Sequence, residues 1–217
     1  MNLADTLVVL DTCVLLRPRV ADVIMDLRAE GVFSVHWTEN IEAEFVRNMN
    51  GIYGVPRAKV ENRMLSMKAR CPEWEVLMSS VDFDAVPGEV DRKDRHVAAA
   101  ALALRHAADK DAEIDEPGQR YDVILATENI KDFARKPMAG FGVRVLRVGA
   151  LLDETYEAGP EAATRAVLRA ANELQKPPYT VAELLHVLRK AGARTLVSGM
   201  SKALGVKPVP KEAASRR

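Results

Sequence analysis

The segment LVVLD, residues 7–11, decides the fold, because four apolar residues are followed at once by an aspartate. A short apolar run rich in β-branched residues is typical of a strand buried on both faces, as in a parallel sheet. Asp11 then falls at the carboxyl end of this strand, which is where open α/β sheets bind ligands. The segment therefore predicts a buried strand with a candidate functional carboxylate at its end.

Strand and helix patterns alternate beyond this segment. Thr38 is a predicted N-cap, and the segment that opens at Asp94 leads into an alanine-rich helix slim enough to pack closely on a sheet. The predicted elements are helix 20–29, strand 32–35, helix 39–49, a mostly helical stretch over 51–80, helix 97–108, a polar loop over 109–120, and strands 122–126 and 143–146. The alternation predicts a three-layer α/β/α domain with a central parallel sheet over residues 1–152.

The strand signals stop after Gly159-Pro160. Helical patterns cover 161–175, 180–190 and 194–204, so the sequence predicts a small all-helical C-terminal domain over residues 160–204 and a frayed tail over 205–217. Some 50 residues are too few to hold a large core of their own. We therefore expect the helical segment to dock on the α/β domain or on a second subunit.

Composition limits the classes of partner. The chain has 31 basic and 31 acidic residues, so a surface that binds nucleic acid would have to be a local patch. Two cysteines, Cys13 and Cys71, cannot make a disulfide scaffold, and the apolar run near the start is too short for a signal peptide or a membrane span. We expect a cytoplasmic protein with no membrane partner.

Three acidic positions form the candidate site. Asp11 ends the first strand, and Glu44 lies between apolar positions of its predicted helix, where a carboxylate is costly to bury unless it is paired or bound to a cation. Asp91 and Asp94 open the alanine-rich helix, where aspartate is a favoured N-cap. We assign Asp94 to a metal site and Asp91 to the cap or the preceding loop.

Four motifs together resemble the PIN-domain nucleases, in particular the branch that contains the VapC-type toxins of toxin–antitoxin pairs. They are LDTCVLL (10–16), TENIEAEFVRN (38–48), DRKDRHVAAAAL (91–102) and DVILATENIKDF (122–133). Their order and spacing match over nearly the whole α/β domain. The resemblance implies a PIN-like fold and an endoribonuclease that depends on Mg²⁺ or Mn²⁺.

Site residues follow from the resemblance by motif. It implies that Asp11, Glu44 and Asp94 are the catalytic metal ligands. The resemblance also implies a fourth metal ligand at Asn129, where many relatives carry aspartate. Because this departure weakens the fourth metal contact, Asp132, Asp91 and Glu128 are weaker candidates for the same role. Thr127 and Thr12 would give polar support. Mg²⁺ prefers oxygen ligands and lowers the pKa of a bound water, which supplies the attacking hydroxide.

Further expectations concern partners and neighbouring residues. We expect an RNA substrate, a small antitoxin protein and a homodimer. Arg17, Arg47 and Arg95 flank the acidic residues and are candidates for contacts to the RNA backbone. By contrast, Cys13 is expected to be a small core residue, and His96 and Trp37 are expected to serve packing.

Other functions remain in competition at this point. An RNA-processing nuclease without a toxin role fits the same carboxylates. A DNA-binding or regulatory protein is the second alternative, because residues 180–204 loosely resemble a helix-turn-helix. A haloacid-dehalogenase-type phosphatase would need an aspartate at position 13, which holds cysteine. The sequence has no GxxxxGK[ST] motif and no GxGxxG motif after a strand, which excludes the common nucleotide-binding folds.

Overall fold

A computed structural model describes residues 5–114, 119–173 and 178–211 of the 217-residue chain. Its elements, in chain order, are β1 (Thr6–Leu10), α1 (Thr12–Leu15), α2 (Pro18–Ala29), β2 (Ser34–His36), α3 (Glu39–Gly51), α4 (Arg57–Arg70), α5 (Ser80–Asp84), α6 (Arg95–Ile114), β3 (Asp122–Thr127), α7 (Arg135–Gly140), β4 (Val143–Arg147), α8 (Val148–Ala158), α9 (Pro160–Glu173), α10 (Val181–Lys190) and α11 (Arg194–Leu204). A 3₁₀ turn, Ile130–Phe133, precedes α7.

The four strands form one parallel sheet in the order β2-β1-β3-β4. The connection from β1 to β2 and the connection from β2 to β3 run in opposite directions across the sheet. Because parallel crossover connections are right-handed, these two connections cover opposite faces of the sheet. Helix α6 packs on β1, β3 and β4. Helix α2 packs on β2, and α9 packs on both α2 and α8. The predicted α/β three-layer fold with a helical C-terminus is confirmed.

Local sequence explains the elements that position the candidate site. Residues 8–10 of β1 are fully buried, as expected for a strand covered on both faces. The Thr38 side chain accepts a hydrogen bond from the backbone N–H of Ile41 at 3.2 Å, which is the predicted N-cap of α3. In α6 the consecutive residues 97–102 have no exposed surface, because alanine lets the helix lie close to the sheet.

The predicted helical stretch over 51–80 is partly wrong. Only α4 and the start of α5 are helical there, and the chain after Pro72 runs beside Trp37 as an isolated parallel bridge. The backbone N–H of Trp37 donates to the backbone carbonyl of Trp74 at 2.8 Å. The two indole rings stack, with their centroids 5.2 Å apart. This pairing depends on a residue distant in sequence, so the local helical pattern does not reveal it.

Two further helices differ from the predictions. Helix α6 continues to Ile114 and takes up the first part of the predicted loop, of which residues 115–118 lie outside the described residues. Helix α8 was not predicted and spans residue 152, where the α/β domain was expected to end. Residues 174–175 of the predicted helix 161–175 also lie outside the described residues.

The C-terminal helices dock on the α/β part of the chain. Helices α9 and α10 pack on α2, and α11 packs on α8, so that buried residues of both parts form one continuous core. The approach is close at Gly149, where a Cβ atom would lie 2.3 Å from the Ala191 carbonyl oxygen. Part of the predicted frayed tail is also packed, because the Val209 N–H donates to the Ala182 carbonyl at 3.1 Å. Residues 212–217 lie outside the described residues. In the described part of the chain, no helix combines the length and the apolar character that a membrane span requires.

Candidate active site

The candidate site lies where the strand order reverses. From β1 the chain goes to β2 on one side and later returns to β3 on the other, so a crevice opens at the carboxyl ends of β1 and β3. Asp11 follows β1 and Thr127 ends β3. The Asp11 N–H continues the strand pairing by donating to the Ala126 carbonyl at 3.1 Å. The sheet therefore brings these two side chains together.

Asp11 is held by donors on two elements. It is 5% exposed and caps α1. The Thr127 hydroxyl donates to its Oδ2 at 2.6 Å, and the Cys13 thiol lies 2.9 Å from the same oxygen. Thr127 in turn accepts from the Asn129 N–H at 2.9 Å. These contacts fix the direction of the Asp11 carboxylate.

Cys13 is a site residue rather than a simple core residue, which corrects the expectation from the sequence. Burial, together with the nearby Asp11 charge, raises the pKa of the Cys13 thiol to about 12. The thiol therefore stays protonated and acts as a donor, while its sulfur accepts from the Glu128 N–H at 3.2 Å. The turn at the N-cap of α1 brings position 13 back onto Asp11, and the apolar sequence around it conceals this.

Glu44 is held on the opposite side by Thr12 and His96. The Thr12 hydroxyl donates to Glu44 Oε2 at 2.8 Å, and His96 Nε2 lies 3.3 Å from the same oxygen. The other ring nitrogen, Nδ1, lies 2.9 Å from the Lys93 carbonyl oxygen. Each ring nitrogen of His96 therefore lies within reach of an acceptor oxygen. His96, expected to serve packing, thus contacts a predicted catalytic carboxylate.

Among the described residues, the Asp94 carboxylate has fewer hydrogen-bond donors than the carboxylates of Asp11 and Glu44. It directly precedes α6, and its Oδ2 is buried without a hydrogen-bond partner among the described residues. The Lys93 ammonium approaches that oxygen only to 3.9 Å. Burial raises the pKa of Asp94 to about 6, and the charge of Asp11 adds to the effect. Lys93 therefore compensates the charge of the two aspartates only in part.

The other predicted ligands surround this pair. Asn129 is exposed, and Asp132 forms an ion pair with Lys93 at 3.5 Å. Asp91 is exposed and accepts from the Lys93 N–H at 3.1 Å, as expected for a residue of the preceding loop. Glu128 is paired with Arg17 at 2.8 Å. The Asp91 N–H donates to the Asp132 carbonyl, which ties the two loops together.

The fit to a metal ion rests on two carboxylates. In the described ranges, no group of three or more histidine, cysteine, aspartate and glutamate side chains has the arrangement of a metal site. Asp11, Glu44 and Asp94 are therefore not assembled as three direct ligands. Mg²⁺ commonly keeps several waters and binds one or two protein carboxylates together with substrate phosphate. The buried, unpartnered oxygen of Asp94 beside Asp11 fits that mode.

The predicted RNA contacts have different environments. Arg17 pairs with Glu128. Arg47 is exposed on a cleft of about 540 Å³ between α3 and α4. Arg95 donates to the backbone carbonyls of Phe83, Val86 and Pro87, so its guanidinium holds the loop before α6.

The fold and the site define an α/β protein with an acidic crevice at the switch point of a parallel sheet. In the comparison with protein families, residues 150–201 are similar to the family described as VapC50 C-terminal domain. The matched range covers most of α8 and continues into α11. No curated protein and no solved structure matches the chain.

Proposed function

We propose that this protein is a metal-dependent endoribonuclease of the PIN-domain type. The observation that carries the proposal is Oδ2 of Asp94, which is buried without a hydrogen-bond partner among the described residues and lies within range of the charge of Asp11. A buried carboxylate beside a half-buried one is costly unless a cation lies near them. The pair also occupies the crevice where α/β sheets bind ligands.

Asp11 and Asp94 would hold Mg²⁺ or Mn²⁺ in this crevice. A bound divalent ion supplies an acidified water and neutralises charge that develops on the phosphate. Thr127 and Cys13 keep Asp11 oriented by donating to its Oδ2. Glu44, which is fixed by Thr12 and His96, can accept a hydrogen bond from water in the site without rearranging.

We further propose that this nuclease acts as a toxin. This role is supported by the match to the VapC50 C-terminal domain and by the four motifs that resemble VapC-type toxins. On this proposal the nuclease blocks growth until a small antitoxin protein binds it. A nuclease of RNA processing would share the active site and would not block growth.

The structure disfavours the DNA-binding alternative. A helix-turn-helix reads DNA with the first residues of its second helix, which here would be α11. The Asp153 carboxylate accepts hydrogen bonds from the N–H groups of Arg194 at 3.0 Å and Leu196 at 2.9 Å. This carboxylate covers the start of α11 and would repel a phosphate backbone there.

Cleavage of total cellular RNA by the purified protein tests the nuclease proposal. We expect cleavage with Mg²⁺ and none with a chelator. Asp11→Asn and Asp94→Asn should each lower the rate by about 100-fold or more, since each removes a charge that the transition state requires. Asp84→Asn removes an exposed aspartate and is the matched control. Full cleavage by both site variants would overturn the assignment.

Growth of a bacterial host tests the toxin role. Expression of the wild-type chain should stop growth, and the Asp11→Asn variant should not. Co-expression of a small protein encoded beside the nuclease should restore growth. Harmless expression of a chain with verified nuclease activity would remove the toxin role and leave the enzyme.

A further inference from the structure

A small pocket lies at the junction between the α/β part of the chain and the C-terminal helices. It has a volume of about 270 Å³ and lies between the start of α2 and the end of α10. Its apolar lining includes Pro18, Val20 and Val187. The volume lies just under the range of roughly 300–1,000 Å³ that is usual for drug-sized ligands, so it suits a single planar ring system.

Three cationic side chains also line this pocket. Arg17 and Arg19 come from the α/β part, and Lys190 comes from α10. Arg17 pairs with Glu128 at 2.8 Å and Arg19 with Asp22 at 3.3 Å. Lys190 is exposed and makes no ion pair with any described residue. Arg17 and Arg19 are thus partly neutralised, and among the described residues Lys190 is the lining cation left to pair with a phosphate of RNA.

The pocket is connected to the candidate active site. Glu128, the partner of Arg17, directly follows Thr127, and the Thr127 hydroxyl donates to Asp11 at 2.6 Å. Arg17 is also only six residues after Asp11 in the sequence, at the end of the short turn that α1 makes. The pocket lining is therefore linked to Asp11 through Arg17, Glu128 and Thr127.

We propose that this pocket receives one nucleobase of single-stranded RNA, next to the phosphate that is cleaved, while Arg19 and Lys190 contact the backbone. The inference rests on the proposed nuclease function and adds a substrate subsite to it. Unpaired bases are recognised by stacking on apolar surfaces and on arginine planes. The Arg19 guanidinium, which lines the pocket, lies over the Tyr179 ring at 4.8 Å from its centre. The C-terminal helices thereby take part in substrate choice.

Binding of a short, fluorescently labelled single-stranded RNA, measured by anisotropy with chelator present, tests the subsite without cleavage. Lys190→Glu should raise the dissociation constant by about tenfold, and it should lower the slope of log Kd against log salt by about 0.7, the contribution of one phosphate contact on a single strand. Lys202→Glu reverses an exposed lysine of α11 and should bind as the wild type does.

A second variant tests the base itself. Val187→Phe fills the pocket and should weaken binding of the RNA about as strongly. The same oligonucleotide with abasic residues should bind the wild type and Val187→Phe equally, because no base competes for the space. Circular dichroism of each variant establishes that it is folded. Lys190→Glu lies on the surface and keeps the test valid if Val187→Phe does not fold.

The outcomes for the pocket and for the nuclease are separate. Unchanged binding by Lys190→Glu and Val187→Phe, in a protein that cleaves RNA with Mg²⁺, would overturn the subsite and leave the nuclease. Weakened binding by both variants, in a protein that never cleaves RNA, would support the subsite and overturn the nuclease. Equal losses by Lys190→Glu and Lys202→Glu would show that only overall charge matters and would also overturn the subsite.

Discussion

Replacing Asp94 by asparagine should stabilise the protein when metal is absent. Burial and the Asp11 charge raise the pKa of Asp94 from its ordinary value of 3.8 to about 6. A carboxyl group with a raised pKa binds protons more tightly in the folded state, so stability is lost as pH rises from about 4 to 6. Asp94→Asn removes the charge that causes this loss.

The size of the gain follows from the pKa. A rise from 3.8 to about 6 corresponds to roughly 3 kcal/mol above about pH 6, at 1.36 kcal/mol per pKa unit. The side chain is 14% exposed, and water screens part of the interaction, so we expect about 2 kcal/mol. In a chain of this length that is about 4–8 °C in Tm. Near pH 4 the gain should almost vanish, because the wild-type carboxyl is protonated there when the chain is folded.

Thermal unfolding with chelator, followed by circular dichroism near pH 7 and near pH 4, measures this gain. Asp82→Asn is a control of opposite sign. Asp82 accepts hydrogen bonds from the N–H and hydroxyl of Ser79, both at 2.7 Å, and these bonds lower its pKa. Loss of the Asp82 carboxylate should therefore lower the free energy of unfolding by about 1 kcal/mol. Adding Mg²⁺ should stabilise the wild type more than Asp94→Asn. If Asp94→Asn with chelator melts below the wild type near pH 7, burial of the Asp94 charge does not destabilise the fold.

Two further predictions concern docking and the site. Gly149→Ala should lower the free energy of unfolding by about 2 kcal/mol, because its Cβ would lie 2.3 Å from the Ala191 carbonyl oxygen and force α8 from the turn after α10. Gly51→Ala meets no atom within 4 Å and should be neutral in the same urea titration; equal effects would contradict the close approach. Thr127→Val should lower the rate of RNA cleavage by about tenfold, because Asp11 loses its 2.6 Å donor. Thr6→Val removes a buried hydroxyl that has no partner among the described residues, and full activity of both variants would deny Thr127 a positioning role.

Much of the fold could be predicted because its signals are local. The apolar run before Asp11, the N-cap at Thr38 and the alanines after Asp94 each depend on neighbouring residues alone. The chain from 71 to 78 could not be predicted in this way, since the bridge at Glu75 and the stacking of Trp74 both depend on the distant Trp37. The same holds for α8, which packs on β3 and β4 and on the C-terminal helices.

The candidate site could be predicted only in outline. The positions of Asp11 and Asp94 follow from strand and helix ends, which the sequence marks. The contacts of Cys13 with Asp11 and of His96 with Glu44 depend on how the turn of α1 and the start of α6 face the crevice. A signal was present for His96, which lies two residues after Asp94 at a helix start. Its partner Glu44 lies on another helix, so the sequence does not pair them.

Binding of Mn²⁺, measured by calorimetric titration of the purified full chain, tests the central claim most directly. We expect binding by the wild type and by the control Asp84→Asn, which changes an exposed residue outside the site. The dissociation constant should rise by about tenfold or more in Asp11→Asn and in Asp94→Asn, since each loses a charged oxygen ligand. Undiminished Mn²⁺ binding by both folded site variants would contradict the assignment of a metal ion to the pair Asp11 and Asp94.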